Sequence, residues 1–313
     1  MKKLLKGKLR YFTNTLIVIS LIFLVRYLLA NNLLRMPDTI NWYWFAASLL
    51  MLAVGYGFDC FSWLQILRNN SIHISMREAI ESVGIAVFGK YIPGKVWVIT
   101  GMSGRVSQST GAPIIQVSLL ATLLQVLNLA LGAFIGLIGL TPYLKMSLVA
   151  VFIIITIVVI VLFFGYKDKI RNAGFVQRYK FTRKWLPPFI RSISPGLILS
   201  LVLIWISWSI SFYLLAKSLG YPLPFEGGFV LPLGSSAGTL LLLAPGGLGV
   251  REGALGLLLA GHLTSPQEIV TLSAFSRLWF LVGEIMIFLA AGLLITLKMK
   301  RTKLNNTDTL VRG

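Results

Sequence analysis

The sequence predicts an all-α polytopic membrane protein, with about six transmembrane helices and two re-entrant helical hairpins in an inverted repeat. Three observations predict it: an apolar composition, apolar runs long enough to cross a bilayer, and a lopsided placement of Lys and Arg. Of 313 residues, 56% are apolar and only 12% charged, and the mean hydropathy is +0.82. Soluble domains carry about a quarter charged residues, so most of this surface faces something other than water. Roughly 20 apolar residues cross a hydrocarbon core as a helix. Open sheets cannot do so, because their unpaired backbone edges find no partner in lipid, and no segment alternates as a barrel strand must.

Six spans are predicted: Asn14–Ala30, Trp42–Leu67, Pro113–Leu140, Met146–Gly165, Pro195–Lys217 and Pro266–Leu297. Basic Met1–Phe12 ahead of the first resembles the start of a secretory signal, but Leu28 occupies the −3 position of a site after Ala30, so an uncleaved first helix is expected. The chain is read as one integral membrane domain, 1–313. Its halves cover 42–140 and 195–297, joined by a basic connection, 166–193, and followed by a tail, 298–313.

Positive loops mark the cytoplasmic side. Lys and Arg crowd the N-terminus, the connection Lys167–Arg191 and the tail, and six spans bring all three to one side. The other side has only Arg35, Lys145 and Lys217. The expected location is therefore the bacterial inner membrane, with both termini cytoplasmic. A net charge of +19 is explained by topology and anionic lipid, and no nucleic-acid partner is expected.

Two apolar segments, Arg77–Arg105 and Phe225–His262, do not read as simple spans. Each has a breaker at its centre: Pro93 and Gly94 in the first, Pro245, Gly246, Gly247 and Gly249 in the second. Proline removes a backbone donor and clashes with the preceding turn, and glycine permits a reversal. Each segment reads as a hairpin entering and leaving on one side, or as two short full crossings, which leaves the remaining topology unchanged. The spacing repeats. From Leu67 to Pro93 is 26 residues and from Lys217 to Pro245 is 28, while Pro93 to Pro113 is 20 and Pro245 to Pro266 is 21. Paired interrupted segments at matching positions point to an inverted repeat with a binding site at its interface.

Candidate residues follow from that layout. A helix starting after Gly249 would expose its amides inside the membrane, an anion site by dipole and free N–H groups. Gly246, Gly247 and Gly249 would let a phosphate approach, and Arg251 would supply a charge-assisted contact; alternatively Arg251 and Glu252 simply hold the hairpin. Lys90 and Lys95 form a cationic mouth at the first hairpin, or snorkel to the interface. Arg277 and Glu284, seven apart on one face, are too distant to pair. Glu252 is a partner for Arg277, and Arg251 or Lys95 for Glu284; coupling to a proton and a structural ion-pair network are both open. Asp59 is read as an interfacial cap in preference to a proton site. Gln125, Asn128, Ser207 and Ser211 are read as helix-packing residues. Single Cys60 excludes an internal disulfide. No metal, cofactor or catalytic signature is found, and the chain is not read as an enzyme.

The runs Gly89-Lys90-Tyr91-Ile92-Pro93-Gly94-Lys95-Val96-Trp97 with Gly104-Arg105, Ala244-Pro245-Gly246-Gly247-Leu248-Gly249-Val250-Arg251-Glu252, and Arg277-Leu278-Trp279 with Glu284 resemble the lysylphosphatidylglycerol synthase transmembrane-region family, over nearly the whole chain. That family includes the flippase half of the multiple peptide resistance factors and many stand-alone membrane proteins. The chain ends about 16 residues after its last span, so the aminoacyl-transfer domain of the bifunctional relatives is expected to be absent. The resemblance implies a lipid flippase, with Pro93, Gly94, Pro245, Gly246, Gly247, Arg251, Glu252, Arg277 and Glu284 at family-matching positions. The expected ligand is an anionic phospholipid or a prenyl-linked envelope precursor. Two alternatives stand beside it: a non-transporting partner of a cell-envelope glycosyltransferase or lipid-modifying enzyme, and a membrane-embedded prenyl-phosphate-sugar transferase.

Overall fold

The computed structural model describes residues 40–91, 96–144, 150–151, 154, 158, 162, 164–166, 190–240, 247 and 249–311, with side chains through 297. Among these residues there are helices and no strands. We label the helices α1 (Trp42–Arg68), α2 (Met76–Ala86), α3 (Val96–Thr110), α4 (Ile114–Gly136), α5 (Pro195–Ser218), α6 (Val230–Leu240), α7 (Val250–Leu259) and α8 (Pro266–Val311). Short 3₁₀ turns follow α2 (Val87–Tyr91) and α4 (Leu137–Leu140) and precede α6 (Phe225–Phe229).

Four helices are long and apolar enough to cross a membrane: Trp42–Arg68, Ile114–Leu140, Pro195–Ser218 and Pro266–Leu297. They match four of the six expected spans to within a residue at each end. The first expected span, Asn14–Ala30, lies outside the described residues, as does most of Met146–Gly165, whose described positions are helical. Nearly all of the basic connection is likewise outside them. Helix α8 runs on to Val311 through the segment read as a tail, since no Pro or Gly interrupts 298–311.

Local chemistry sets the helix starts. Asn41 accepts the Tyr43 and Trp44 amides at 3.1 and 3.3 Å and caps α1. Ser75 and Glu78 cap α2 reciprocally, the arrangement that satisfies two orphan amides at once. Ser194 caps α5 ahead of Pro195, which needs no amide partner at the first helical position.

The packing has an internal symmetry. Helix α1 lies along α5. Exchanging α1–α4 with α5–α8 preserves the other main contacts: α2 on α8 with α6 on α4, α3 on α4 with α7 on α8, and α2 on α3 with α6 on α7. Each half is thus a long helix, a helix–break–helix segment and a second long helix. Each broken segment packs on the closing helix of the other half.

Contacts at the two ends fix the directions. At one end the Asn69 and Asn70 amides donate to Ser192 and Ser194, and the Arg77 guanidinium donates to the Leu294 carbonyl. At the other, the Asn41 amide donates to the Ser218 carbonyl at 2.8 Å, and His262 Nε2 lies 2.7 Å from the Gly139 carbonyl. Segment α2–α3 therefore starts at the first end, and segment α6–α7 finishes at the second.

Close approach between helices relies on small residues, as expected where lipid supplies no hydrophobic drive. Ser211 donates to the Ser48 carbonyl across α1 and α5, the packing role expected of it. The Trp279 indole donates to Ser48 Oγ at 3.2 Å, joining α8 to the same seam. A Cβ at Gly84 of α2 would lie 2.6 Å from both the Ala291 Cβ and the Ile287 carbonyl oxygen of α8. We expect Gly84→Val to lower detergent-solubilised stability by about 1–3 kcal/mol through overpacking. Gly57→Val, where an added Cβ meets nothing within 4 Å, should leave it unchanged. Thermal unfolding of both variants checks this, and equal unfolding temperatures would contradict the α2–α8 contact.

Candidate functional site

Between the halves lies a cavity of about 470 Å³. Each of the eight helices contributes to its wall, from Asp59 on α1 to Glu284 on α8. A space built by both halves is the natural product of crossing each broken segment over the other half's closing helix.

Among the described residues five charged side chains line it: Asp59, Lys90, Arg251, Arg277 and Glu284; Glu252, at the start of α7, pairs with one of them, Arg277. Glu284 is fully buried. It pairs with Lys90 and accepts the Tyr91 hydroxyl at 2.8 Å. The expected partners were Arg251 or Lys95. The 3₁₀ turn after α2 places Lys90 and Tyr91 against α8 instead, and Lys95 lies outside the described residues. Arg277 Nη1 sits 3.3 Å from Glu252 Oε1, the partner expected on charge. Helix α8 is thereby joined to both broken segments, to the first through Glu284 and to the second through Arg277.

The second break uses glycine for a physical reason. Gly247 and Gly249 have φ of +71° and +80°, conformations that L side chains rarely adopt. A Cβ on Gly247 would also strike the Gly238 carbonyl oxygen at 2.6 Å. The Gly249 amide donates to Glu252 Oε2 at 2.8 Å. So the N-terminus of α7, expected to offer its amides to an anion, already spends this one on its own carboxylate, which also suits the helix dipole. Pro93, Gly94, Pro245 and Gly246 lie outside the described residues.

Arg251, the second residue of α7, lines the cavity. Its side chain is 7% exposed, and its guanidinium lies over the Phe280 ring, 4.6 Å from the centroid. Nε and Nη2 are buried and make no hydrogen bond among the described residues. Native proteins pair nearly all such donors, so a guanidinium with two donors unspent is poised for something else.

Asp59 differs from its expected role. It lines the cavity and caps nothing. Among the described residues its carboxylate makes no hydrogen bond, and its backbone carbonyl accepts the Ser62 hydroxyl at 2.8 Å. Gln125 and Asn128 also line the cavity where packing was expected, because α4 turns that face inward; the Asn128 carbonyl still accepts the Trp205 indole at 2.8 Å. Among the described residues no cluster of three metal-ligating side chains occurs.

Two features escaped sequence reasoning. One is an aromatic wall formed by Tyr56, Trp205, Trp208 and Phe280. Trp208 stacks edge-on with each of the other three, at centroid distances of 5.3, 5.4 and 5.4 Å. Nothing in spacing separates such rings from ordinary core. The other is buried Glu81, bonded to Arg77 at 3.0 Å and paired with Arg105. The i,i+4 spacing of Arg77 and Glu81 is a readable helix-pair signal. Its link to α3 is not.

These features define a helical multi-pass membrane protein with a largely apolar, aromatic-walled cavity, carrying a few charged groups, between two like halves. The chain belongs to the family described as Lysylphosphatidylglycerol synthase TM region, which matches residues 12–297. No curated protein and no solved structure matches it.

Glu284 gives the sharpest energetic expectation. Lys90→Met strands a buried carboxylate with only the Tyr91 hydroxyl, a loss of the order of 3 kcal/mol. Adding Glu284→Gln should recover much of it. Denaturation of the single and double variants measures the coupling; additive losses would mean that the two charges do not interact.

Proposed function

We propose that this protein is an inner-membrane lipid translocator. It binds an anionic headgroup, of a phospholipid or a prenyl-linked envelope precursor, in the cavity between its halves, and performs no covalent chemistry. The broken segments α2–α3 and α6–α7 act as re-entrant hairpins from opposite faces, within a frame of six spans and with both termini cytoplasmic. Rocking of one half against the other exposes the cavity alternately to each side, while the lipid tails stay in the bilayer.

One observation carries this reading: buried Arg251, on the cavity wall, has Nε and Nη2 without hydrogen-bond partners among the described residues. The charges around it support an anion there. Lys90 is engaged by Glu284 and Arg277 by Glu252, so among the described residues Arg251 is the lining cation with donors to offer. An ionised group kept bare at this depth is expensive, and such groups usually mark a substrate path. The wall is otherwise largely apolar and aromatic, as ligand sites are.

Reconstitution in vesicles tests it. Fluorescent phosphatidylglycerol and a labelled polyprenyl-phosphate sugar should move between leaflets faster than in protein-free vesicles, for at least one of the two. Arg251→Ala should reduce that movement at least about tenfold, the loss expected of a charge-assisted contact, without changing the unfolding temperature. No movement of either lipid, or a fully active Arg251→Ala, would defeat the proposal. The topology is checked separately. In a Cys60→Ser background, cysteines at Asn172 and Asn305 should react with an impermeant thiol reagent only after the membrane is opened, and one at Tyr143 should react from outside. The reverse pattern would invert the orientation.

A further inference from the structure

We infer that Phe280 is a positioning residue that holds the Arg251 guanidinium edge-on to the cavity, so that Nε and Nη2 together form a bidentate receptor for a phosphate or other oxyanion. The inference rests on the headgroup-binding reading above and adds the geometry that selects the ligand.

Three observations point to it. First, Nε and Nη2 are buried and make no hydrogen bond among the described residues. These two N–H groups lie on the same edge of the planar guanidinium and match two oxygens of one phosphate, a fork that a lysine ammonium cannot reproduce. Second, the plane of that fork has a fixed support. Arg251 lies 4.6 Å above the Phe280 ring, and Phe280 is itself wedged edge-on between Trp279 and Trp208, with centroid distances of 4.9 and 5.4 Å. Third, the root of the side chain is fixed as well. Arg251 Cβ would lie only 2.8 Å from a Cβ built on Gly238, so α6 leaves it no room to swing away from α8. A guanidinium pinned at its base and stacked on its face has little orientational freedom left, and the ordering that an anion would otherwise impose has been done by the fold.

Arg277 and Glu284 flank Phe280 on α8, at three residues before and four after. Both are held in ion pairs with the broken segments. The same helix face therefore secures both hairpins and presents the platform between them. Movement of α7 relative to α8 would shift the Arg251 edge against its ring, which ties ligand capture to the position of the second broken segment.

Calorimetric titration of the purified full chain in detergent tests the proposal with three probes: dihexanoylphosphatidylglycerol, inorganic phosphate, and uncharged monohexanoylglycerol. The unmutated protein should bind the first, should not bind the third, and binding of phosphate tells whether the oxyanion alone suffices. Phe280→Leu should weaken binding about threefold to thirtyfold, the range of a desolvated cation–π contact, with an unchanged unfolding temperature. Phe280→Tyr should restore it. Arg251→Lys should weaken binding as much as Arg251→Ala, because the fork is lost in both.

The outcomes separate the claims. Loss of binding in Arg251→Ala with full binding in Phe280→Leu overturns the role of Phe280 and leaves the headgroup site standing. Full binding in Arg251→Ala overturns both. Phe280→Leu that unfolds earlier and is not rescued by Phe280→Tyr makes the ring ordinary packing and overturns the inference. Full binding in Arg251→Lys overturns the bidentate geometry, and failure of the unmutated protein to bind either phosphate probe overturns the oxyanion site.

Discussion

Charge stranded in hydrocarbon is the constraint around which this molecule is arranged. Arg277 and Glu284 sit on one face of α8, both almost wholly buried, and two turns apart they are too distant to pair with each other. Each must be met from elsewhere, and each is met by a different broken segment: Glu252 of α7 for one, Lys90 and Tyr91 beyond α2 for the other. Buried ion pairs are weak contributors to net stability but costly to break. Here their effect is on position. They fix where both broken helices stop, and so where the cavity lies.

The symmetry of the packing follows from the same need. A broken helix exposes backbone groups that lipid cannot satisfy, so each must be enclosed by protein. Laying each broken segment against the closing helix of the opposite half encloses both with one set of contacts. Small residues make this feasible. Gly84 against α8, and Gly136 and Gly139 against the chain around Leu233 and Val230, leave no space for a side chain. The seam of α1 with α5 is glued by serine hydroxyls and indole N–H groups rather than by volume alone.

The cavity inherits its character from these enclosures. Its charged members are mostly committed to holding the fold, and its aromatic members to each other. Among the described residues Asp59 and Arg251 are the exceptions, and Arg251 is supported on a ring and at its base with donors left open. Recognition then depends on one well-placed group in a largely apolar chamber, in keeping with a ligand whose polar part is small and whose remainder belongs to the bilayer.

The class and four of the long helices can be read from the order of residues alone. Four long apolar runs became helices at nearly the expected bounds, because apolar length and the requirement for internal backbone hydrogen bonds are local properties. The interruption near Gly247 was equally legible, since glycines at positive φ leave a mark in composition. Charge arithmetic suggested Glu252 for Arg277, their segments being close in the chain. Tertiary structure alone decided the rest. Glu284 meets Lys90 from 194 positions earlier, the Gly249 amide is taken by Glu252, and Asp59 turns to the cavity rather than capping an interface. Arg251 comes to rest on Phe280. These outcomes depend on which faces of distant helices meet, and helix periodicity names a face without naming what it will touch.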